Sequence, residues 1–247
     1  MKKPRPTLLL TGIVLVALLL PCSALAGLSD IIKGLGRSLG AGGLSEEKIS
    51  AGLKEALAIG AENAVQRVSQ VNGYYKNPDI RIPLPRSFEK VEQVARIAGY
   101  GDSMESFMES MNRAAENAAP QAASLFADAV RGMTLQDARN ILNGPEDAAT
   151  SYLREKTYSK LVGAFTPKVH ESMAQVAVTR RYQELTSRLE SLPLAGSLGS
   201  LDLDRYVTEK SLDGLFYMIA REEARIRHDP AARVTDLLKD VFGGAGN

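Results

Sequence analysis

The chain has 247 residues, of which 45% are hydrophobic and 24% charged, and its formal net charge at pH 7 is +1. This length is sufficient for a substantial hydrophobic core in one domain or two small ones. The basic residues alternate with acidic ones and tryptophan is absent. The composition therefore excludes the basic patch typical of nucleic-acid-binding proteins, and we expect no nucleic-acid partner.

Residues 1–26 have the pattern of a secretory signal peptide. Three basic residues near the N-terminus precede an apolar run at 8–20, and Ala24-Leu25-Ala26 provides a small-x-small cleavage site. We therefore expect export, cleavage near Ala26 and a periplasmic mature protein beginning at Gly27. Removal of Lys2, Lys3 and Arg5 changes the formal net charge from +1 to −2.

Two alternatives to a cleaved signal remain. The apolar run could stay as a membrane anchor, although it is short for a membrane span. Cys22 could carry a lipid anchor, although Pro21 occupies the position where a small residue is expected. If cleavage follows Ala26, the mature chain loses its single cysteine, so disulfides, a cysteine nucleophile and a thiolate metal site are all excluded.

Residues 27–43 form a glycine-rich segment that we interpret as a tether. Its apolar residues fall on one helical face, but its glycines each weaken a helix by about 1 kcal/mol relative to alanine. These apolar residues are Leu28, Ile31, Ile32, Leu35 and Leu39. A helix lying on a membrane surface is the alternative, but only two basic residues of the segment would favour it.

Residues 44–243 are predicted to form a helical domain. An apolar stripe predicts a first helix over 45–72 with Ser45 as its N-cap. The prolines and glycine of 73–86 predict a short irregular loop, in which Ile80-Arg81-Ile82 could be a fragment of strand. A second helix over 86–98 ends at Gly99. Asp102 and Glu105 resemble a capping box that begins the next helix, whose stripe continues through a kink at Pro120.

The second half of the domain continues the helical pattern. Thr134 and Asp137 form a second capping box, and helices are predicted over 145–164 and 167–190 with a break near Pro167. Residues 191–201 are the best candidate for an internal linker. Asp204 then begins a helix whose centre is nearly all apolar, and Asp229-Pro230 begins a last helix over 229–242. The prediction is an all-α, single-domain bundle of about seven to nine helices.

Signatures of catalysis are absent from the sequence. It contains no glycine-rich phosphate loop, no G-x-S-x-G motif and no HExxH motif. Its two histidines, His170 and His228, lack the spacing of a metal or triad site, and we place both at the surface or at helix ends. We therefore expect no cofactor, no metal and no catalytic residue of a known pattern.

Polar residues among apolar ones mark three places as candidates for a site. The first contains Asn112, Arg113 and Glu116, with Asn117 beside them. The second contains Lys210, Asp213 and Tyr217, which share one face of an apolar helix. The third lies around the end of that helix and contains Glu222, Glu223, Arg227, Asp229 and Arg233. These groups are either capping contacts and interhelix ion pairs, or they converge on one pocket for an anionic ligand.

The pair Lys210 and Asp213 distinguishes these two interpretations. Both residues have strongly apolar neighbours, so we expect them to be buried, each with an opposite charge within reach. Arg113 and Glu116 are the expected partners across a helix interface.

Several separate stretches resemble a family of bacterial envelope proteins catalogued only as a domain of unknown function. They are Arg81-Ile82-Pro83-Leu84-Pro85, Met111-Asn112-Arg113-Ala114-Ala115-Glu116, Asp204-Arg205-Tyr206-Val207-Thr208-Glu209-Lys210, Asp213-Gly214-Leu215-Phe216 and Asp229-Pro230-Ala231-Ala232-Arg233. The resemblance covers about 45–242 and implies a Gram-negative source and an exported, helical, single-domain protein. It implies no activity, cofactor or catalytic residue.

Three functions are consistent with the sequence. The first is a non-catalytic periplasmic binding domain that presents a groove to an envelope protein, a peptide or a lipid. The second is an envelope enzyme that uses Arg113, Lys210, Asp213 and Glu222 around an open cleft. The third is a membrane-associated component held by the stripe at 28–39 or by a lipidated Cys22.

Overall fold

The computed structural model describes residues 46–175 and 202–229, together with Arg233 and Thr235. These residues belong to one compact unit, Leu44–Asn247. The predictions for the signal peptide, the tether, the Ser45 cap, the linker at 191–201 and most of the helix at 229–242 lie outside the described residues.

The described residues are helical, without a β-strand, which confirms the all-α prediction. In chain order the helices are α1 Glu46–Val68, α2 Glu89–Ile97, α3 Gly101–Ala118, α4 Ala122–Arg131, α5 Leu135–Leu142, α6 Ala148–Gln175 and α7 Leu203–His228. Two short 3-10 helices, Arg86–Phe88 and Ala119–Gln121, precede α2 and α4. The irregular loop lies between α1 and the first 3-10 helix, close to the predicted 73–86.

The longest helices form the centre of the bundle. α6 packs against α7, α3 and α4, and α1 packs against α7, α4 and α5. Aromatic rings fill the space between α4, α6 and α7, where Phe126 meets Phe216 edge to face with centroids 5.7 Å apart. On α3, buried alanines such as Ala114 and Ala118 have no side chain beyond Cβ, so neighbouring elements approach the helix closely.

Three local signals in the sequence correspond to the structure. Gly99 follows the end of α2 with a φ of +85°, the left-handed conformation that favours glycine. At Pro120 the helix is interrupted by the 3-10 turn Ala119–Gln121, as the predicted kink requires. At the start of α5 the Thr134 side chain accepts from the Asp137 N–H, and the Asp137 carboxylate accepts from the Thr134 N–H, which completes a capping box.

Three predicted helix boundaries differ from the structure. Pro167 lies inside the continuous helix α6, because the turns on either side of it are held in the core by Phe165 and Val169, both fully buried. Asp102 does not cap α3, because the helix begins one residue earlier at Gly101 and has no side-chain cap. Asp102 instead lies in the first turn of α3, where the helix dipole stabilises a negatively charged carboxylate. α7 begins at Leu203 with Asp202 as its cap, immediately before the predicted Asp204.

Candidate functional site

Helix α3 holds the irregular loop through Asn112. We call residues 69–85 the pinned loop. The Asn112 Oδ1 accepts from the Ile82 N–H at 2.8 Å, and its Nδ2 donates to the carbonyl oxygens of Ile82 at 2.9 Å and Met108 at 2.8 Å. Asn112 is fully buried. Its amide therefore replaces the partner strand that an extended backbone segment would otherwise need.

Glu116 holds the beginning of the same loop. Its Oε1 accepts from the backbone N–H groups of Tyr74 at 3.0 Å and Tyr75 at 3.1 Å, and its Oε2 accepts from the Arg113 guanidinium at 2.7 Å. Arg113 also donates to Asn72 Oδ1 at 2.8 Å. Burial lowers the pKa of Arg113, but its hydrogen bonds and its proximity to the Glu116 charge outweigh this effect and raise it overall. The buried carboxylate is thus fully partnered.

Helix α7 contacts the pinned loop at Tyr74. This side chain is fully buried, and its hydroxyl donates to the Ser211 carbonyl oxygen at 2.7 Å. Burial and, second, the Glu116 charge raise the pKa of the Tyr74 phenol. Gly214 permits the contact, because a Cβ there would lie 2.8 Å from Tyr74 Cε1 and 3.1 Å from Ile80 Cβ.

The Tyr75 ring lies close to two guanidinium groups. The carbon atoms of the Arg81 and Arg113 guanidiniums are 4.9 and 5.5 Å from the centre of its ring. The Tyr75 hydroxyl donates to Glu105 Oε1 at 2.6 Å, and this hydrogen bond is the largest cause of a raised pKa for the phenol. Arg81 also donates to Glu105. The Arg81 head group is therefore fixed by both a ring and a carboxylate.

The third predicted cluster fastens the end of α7 to the start of α6. The Glu223 carboxylate accepts from the N–H groups of Ala149 at 3.1 Å and Thr150 at 2.8 Å, and from the Thr150 hydroxyl at 2.8 Å. Arg227 donates to Glu223 from both Nε and a terminal nitrogen, at 3.1 and 2.8 Å. A buried carboxylate at a helix N-terminus accepts hydrogen bonds from N–H groups that have no partner within the helix, and the helix dipole stabilises its negative charge.

The remaining residues of this cluster also have partners within the protein. Glu222 is buried and lies 3.2 Å from a nitrogen of Arg67 and 3.3 Å from one of Arg225. Arg233 donates to the carbonyl oxygens of Ile226 and Arg227 at the end of α7. Asp229 stands at the C-cap of α7, where its N–H donates to the Arg225 carbonyl oxygen at 2.8 Å.

The second cluster is on the surface, so the predicted burial of Lys210 and Asp213 is wrong. Their side chains are 44% and 50% exposed, and Tyr217 is also exposed. Asp213 lies 3.6 Å from both Lys210 and Arg154, and neither Arg113 nor Glu116 is its ion-pair partner. The reason is the position of Gly214 and its neighbours, which turn the adjacent face of α7 towards the pinned loop and leave Asp213 on the outer side.

The structure therefore separates the predicted residues into three groups. Asn112, Arg113 and Glu116 hold the pinned loop, while Glu223, Arg227 and Arg233 hold helix ends. The Lys210 pair faces solvent. The histidines lie where the sequence placed them: exposed His170 and His228 each pair with a carboxylate, Asp204 at 2.7 Å and Glu146 at 3.0 Å respectively.

Sequence reasoning missed a groove along the outer face of the pinned loop. We call it the loop groove. It encloses about 980 Å³. Its basic side chains are Arg81, Arg86, Arg96 and Lys210, and its apolar walls include Pro83, Leu84, Met108 and Tyr206. The Tyr206 hydroxyl donates to the Pro83 carbonyl oxygen at 3.0 Å, which joins α7 to the loop. Two arginines flanking the prolines of a loop were the available signal, because binding residues are often on loops that a scaffold holds in place.

Within the described residues, no group of three or more acidic, histidine or cysteine side chains is arranged to hold a metal ion. In the same part of the chain, no helix is long and apolar enough to cross a membrane.

Comparison with known proteins shows which family the chain belongs to. Neither the curated proteins nor the solved structures include a match to this chain. A family of unknown function, DUF4197, matches residues 43–243, which is most of the chain and includes all the described helices. On that match, together with the helical bundle, the chain belongs to the DUF4197 family.

Proposed function

We propose that the protein is a non-catalytic binding domain that works in the periplasm after export, and that the loop groove is its binding surface. The partner is another protein or a peptide segment of one. The export pattern of residues 1–26 supports the location, and the arrangement around the pinned loop supports the activity.

The observation that carries this proposal is that buried polar side chains of α3 form hydrogen bonds to the backbone of the pinned loop. Asn112 and Glu116 direct their hydrogen-bonding atoms at the backbone of Ile82, Tyr74 and Tyr75. The outer face of this immobilised loop forms a wall of the loop groove. A surface that is rigid before its partner arrives loses less conformational entropy on binding, so such a loop suits recognition.

The enzyme alternative receives less support from the same contacts. It requires Arg113, Lys210, Asp213 and Glu222 around one open cleft. Arg113 instead pairs with Glu116, Glu222 lies between two arginines, and Lys210 and Asp213 pair with each other on the surface. The described grooves that include Lys210 contain neither Arg113 nor Glu222.

Site-specific photocrosslinking in cells tests the proposal. A Pro78→p-benzoylphenylalanine variant places the probe at an exposed position of the loop groove. The matched control is Ser159→p-benzoylphenylalanine, at an exposed position of α6 outside the described grooves. We expect position 78 to give an adduct of discrete mass that co-expressed unmodified protein suppresses, and position 159 to give none. Equal adducts at both positions, or none at position 78, would contradict the proposal.

A further inference from the structure

We propose that the loop groove binds an extended acidic peptide, with acidic side chains alternating with apolar ones. This inference depends on the binding function proposed above and names the chemistry of the ligand. It rests on which charges of the groove are already neutralised, on how one arginine is fixed, and on the apolar residues that line the groove beside the charges.

The carboxylates of the loop groove are all occupied. Glu92 accepts from two nitrogens of Arg96, at 2.9 and 2.6 Å. Glu105 accepts from the Tyr75 hydroxyl at 2.6 Å and also from Arg81. Glu209 accepts from Arg205 Nε at 2.8 Å. None of these carboxylates is left without a cation or donor, so the groove offers little unsatisfied negative charge to a basic ligand.

Within the described part of the chain, two cations of the groove have no close ion-pair partner. Arg86 is exposed and pairs with none of the described residues. Lys210 has its ion-pair partner, Asp213, only at 3.6 Å, beyond hydrogen-bond distance. The uncompensated charge along the groove is therefore positive, and an anionic ligand would complement it.

Arg81 is held in position before any ligand arrives. Its guanidinium lies over the Tyr75 ring and donates to Glu105 from one terminal nitrogen. A guanidinium has five N–H donors, so several remain for a ligand carboxylate. Fixing the head group in advance reduces the entropy lost on binding.

The shape of the groove favours a peptide over a compact anion. Its cations come from four segments, the loop, the following 3-10 helix, α2 and α7, and its volume of about 980 Å³ is far larger than a phosphate or a single carboxylate fills. The same groove is lined by Pro83, Met108 and Tyr206, whose hydroxyl is already bonded to the Pro83 carbonyl oxygen. An extended peptide places alternate side chains on opposite sides, so acidic and apolar residues could each reach a matching wall.

Fluorescence anisotropy with the mature protein tests this inference. The probe is a fluorescein-labelled octapeptide of alternating glutamate and leucine, compared with glutamine–leucine and lysine–leucine peptides of equal length. We expect the acidic peptide to bind at least about tenfold more tightly than either comparison peptide, and its binding to weaken as salt is raised.

Charge reversal locates the binding. The double variant Arg86→Glu with Lys210→Glu changes two exposed residues, so the fold should persist, and we expect it to weaken binding of the acidic peptide by about tenfold or more. The matched control is Lys160→Glu, an exposed position on α6 outside the loop groove, which should bind as the unchanged protein does.

Three results would overturn the inference: equal affinity for the glutamine–leucine peptide, unchanged binding by the double variant, or binding to phosphatidylglycerol vesicles or inorganic phosphate in place of the acidic peptide. These results are separable from failure of the binding function. A specific adduct at position 78 that survives the double charge reversal would retain the function and reject the acidic ligand, whereas absence of the adduct would reject the function itself.

Discussion

At the scale of single residues, the structure is held by buried polar groups that bond to backbone. Asn112 bonds to both the N–H and the carbonyl of Ile82, and Glu116 accepts from two consecutive N–H groups of the loop. A buried N–H or carbonyl left without a partner costs about 1–3 kcal/mol. These side chains therefore determine whether the pinned loop keeps its conformation.

Replacing Asn112 should release this loop. In Asn112→Ala the buried N–H and carbonyl of Ile82 lose their partner, so we expect the free energy of unfolding to fall by about 3 kcal/mol. Urea denaturation measures this change. Asn117→Ala, at an exposed position of the same helix, is the control and should change it by less than about 0.5 kcal/mol. Similar values for both variants would show that Asn112 does not hold the loop.

Two carboxylates on α7 should differ sharply in their importance. Glu223→Ala leaves two N–H groups of α6 without their acceptor and leaves Arg227 without its carboxylate, so we expect a loss of about 3 kcal/mol. Asp213→Ala should cost less than about 0.5 kcal/mol, because Asp213 and its partners are exposed. Thermal and urea unfolding of the two variants compare them. A large loss in the free energy of unfolding for Asp213→Ala would show that Asp213 is buried, contrary to the structure.

At the scale of elements, close packing and helix caps determine where the helices begin and how closely they approach their neighbours. The approach of α7 to the pinned loop depends on the missing Cβ of Gly214. The entry of the chain into α5 depends on the reciprocal bonds of Thr134 and Asp137.

Two glycines within helices should respond oppositely to alanine. Gly214→Ala places a Cβ 2.8 Å from Tyr74, so the loop or the helix must move, and we expect a loss of about 2 kcal/mol. Gly163→Ala, in α6, meets nothing within 4 Å and should stabilise the protein by up to about 1 kcal/mol through helix propensity. Melting temperatures measure both effects. Stabilisation by Gly214→Ala would contradict the close approach.

The contribution of the α5 capping box to the stability of the fold should depend on pH. Hydrogen bonds from the backbone N–H and the hydroxyl of Thr134 lower the pKa of the Asp137 carboxyl in the folded state. A lowered folded pKa means that the contribution is complete above the unfolded value of about 3.9 and is lost as the pH falls through the folded pKa. We therefore expect the stability difference between the unchanged protein and Asp137→Asn to shrink between pH 5 and pH 2, as measured by urea unfolding. A difference independent of pH would contradict this.

At the scale of the whole molecule, the bundle joins distant parts of the chain. α1 and α7 pack against each other, and α6 lies between α7, α3 and α4. The pinned loop is held from both α3 and α7. The loop groove therefore exists only when these helices are assembled, and partial folding should abolish binding there.

The mature N-terminus is the prediction that concerns the whole chain. From the pattern Ala24-Leu25-Ala26 we expect cleavage on export and a mature chain that begins at Gly27. N-terminal sequencing and intact-mass measurement of periplasmic material should give that residue without a lipid. A lipid-modified start at Cys22, recovered from membranes, would contradict both the cleavage and the proposed periplasmic location.

Features that depend on neighbours in the chain could be predicted from the sequence. The helical periodicity, the Thr134 capping box, the Gly99 stop and the irregular loop near 73–86 are set by interactions over a few residues. The polar residues that hold the pinned loop and the helix ends were among the candidates, and capping contacts and ion pairs describe their bonds. Their partners could not be read in the same way, because Asn112 and Ile82 are 30 positions apart and Glu223 and Ala149 are 74 apart. Of the polar residues that line the loop groove, only Lys210 was a candidate.

The sequence by itself determined the helical class and the family, because periodicity and motif order are properties of the linear chain, and from its small-x-small site we predict export. Only the tertiary structure decided which polar groups are buried and what they bond to. Asp213 lies in a nearly all-apolar stretch and Lys210 just before it, yet both face solvent, because the packing of Gly214 against the pinned loop sets the rotation of α7. The loop groove has the same origin, since its walls come from segments that only folding brings together.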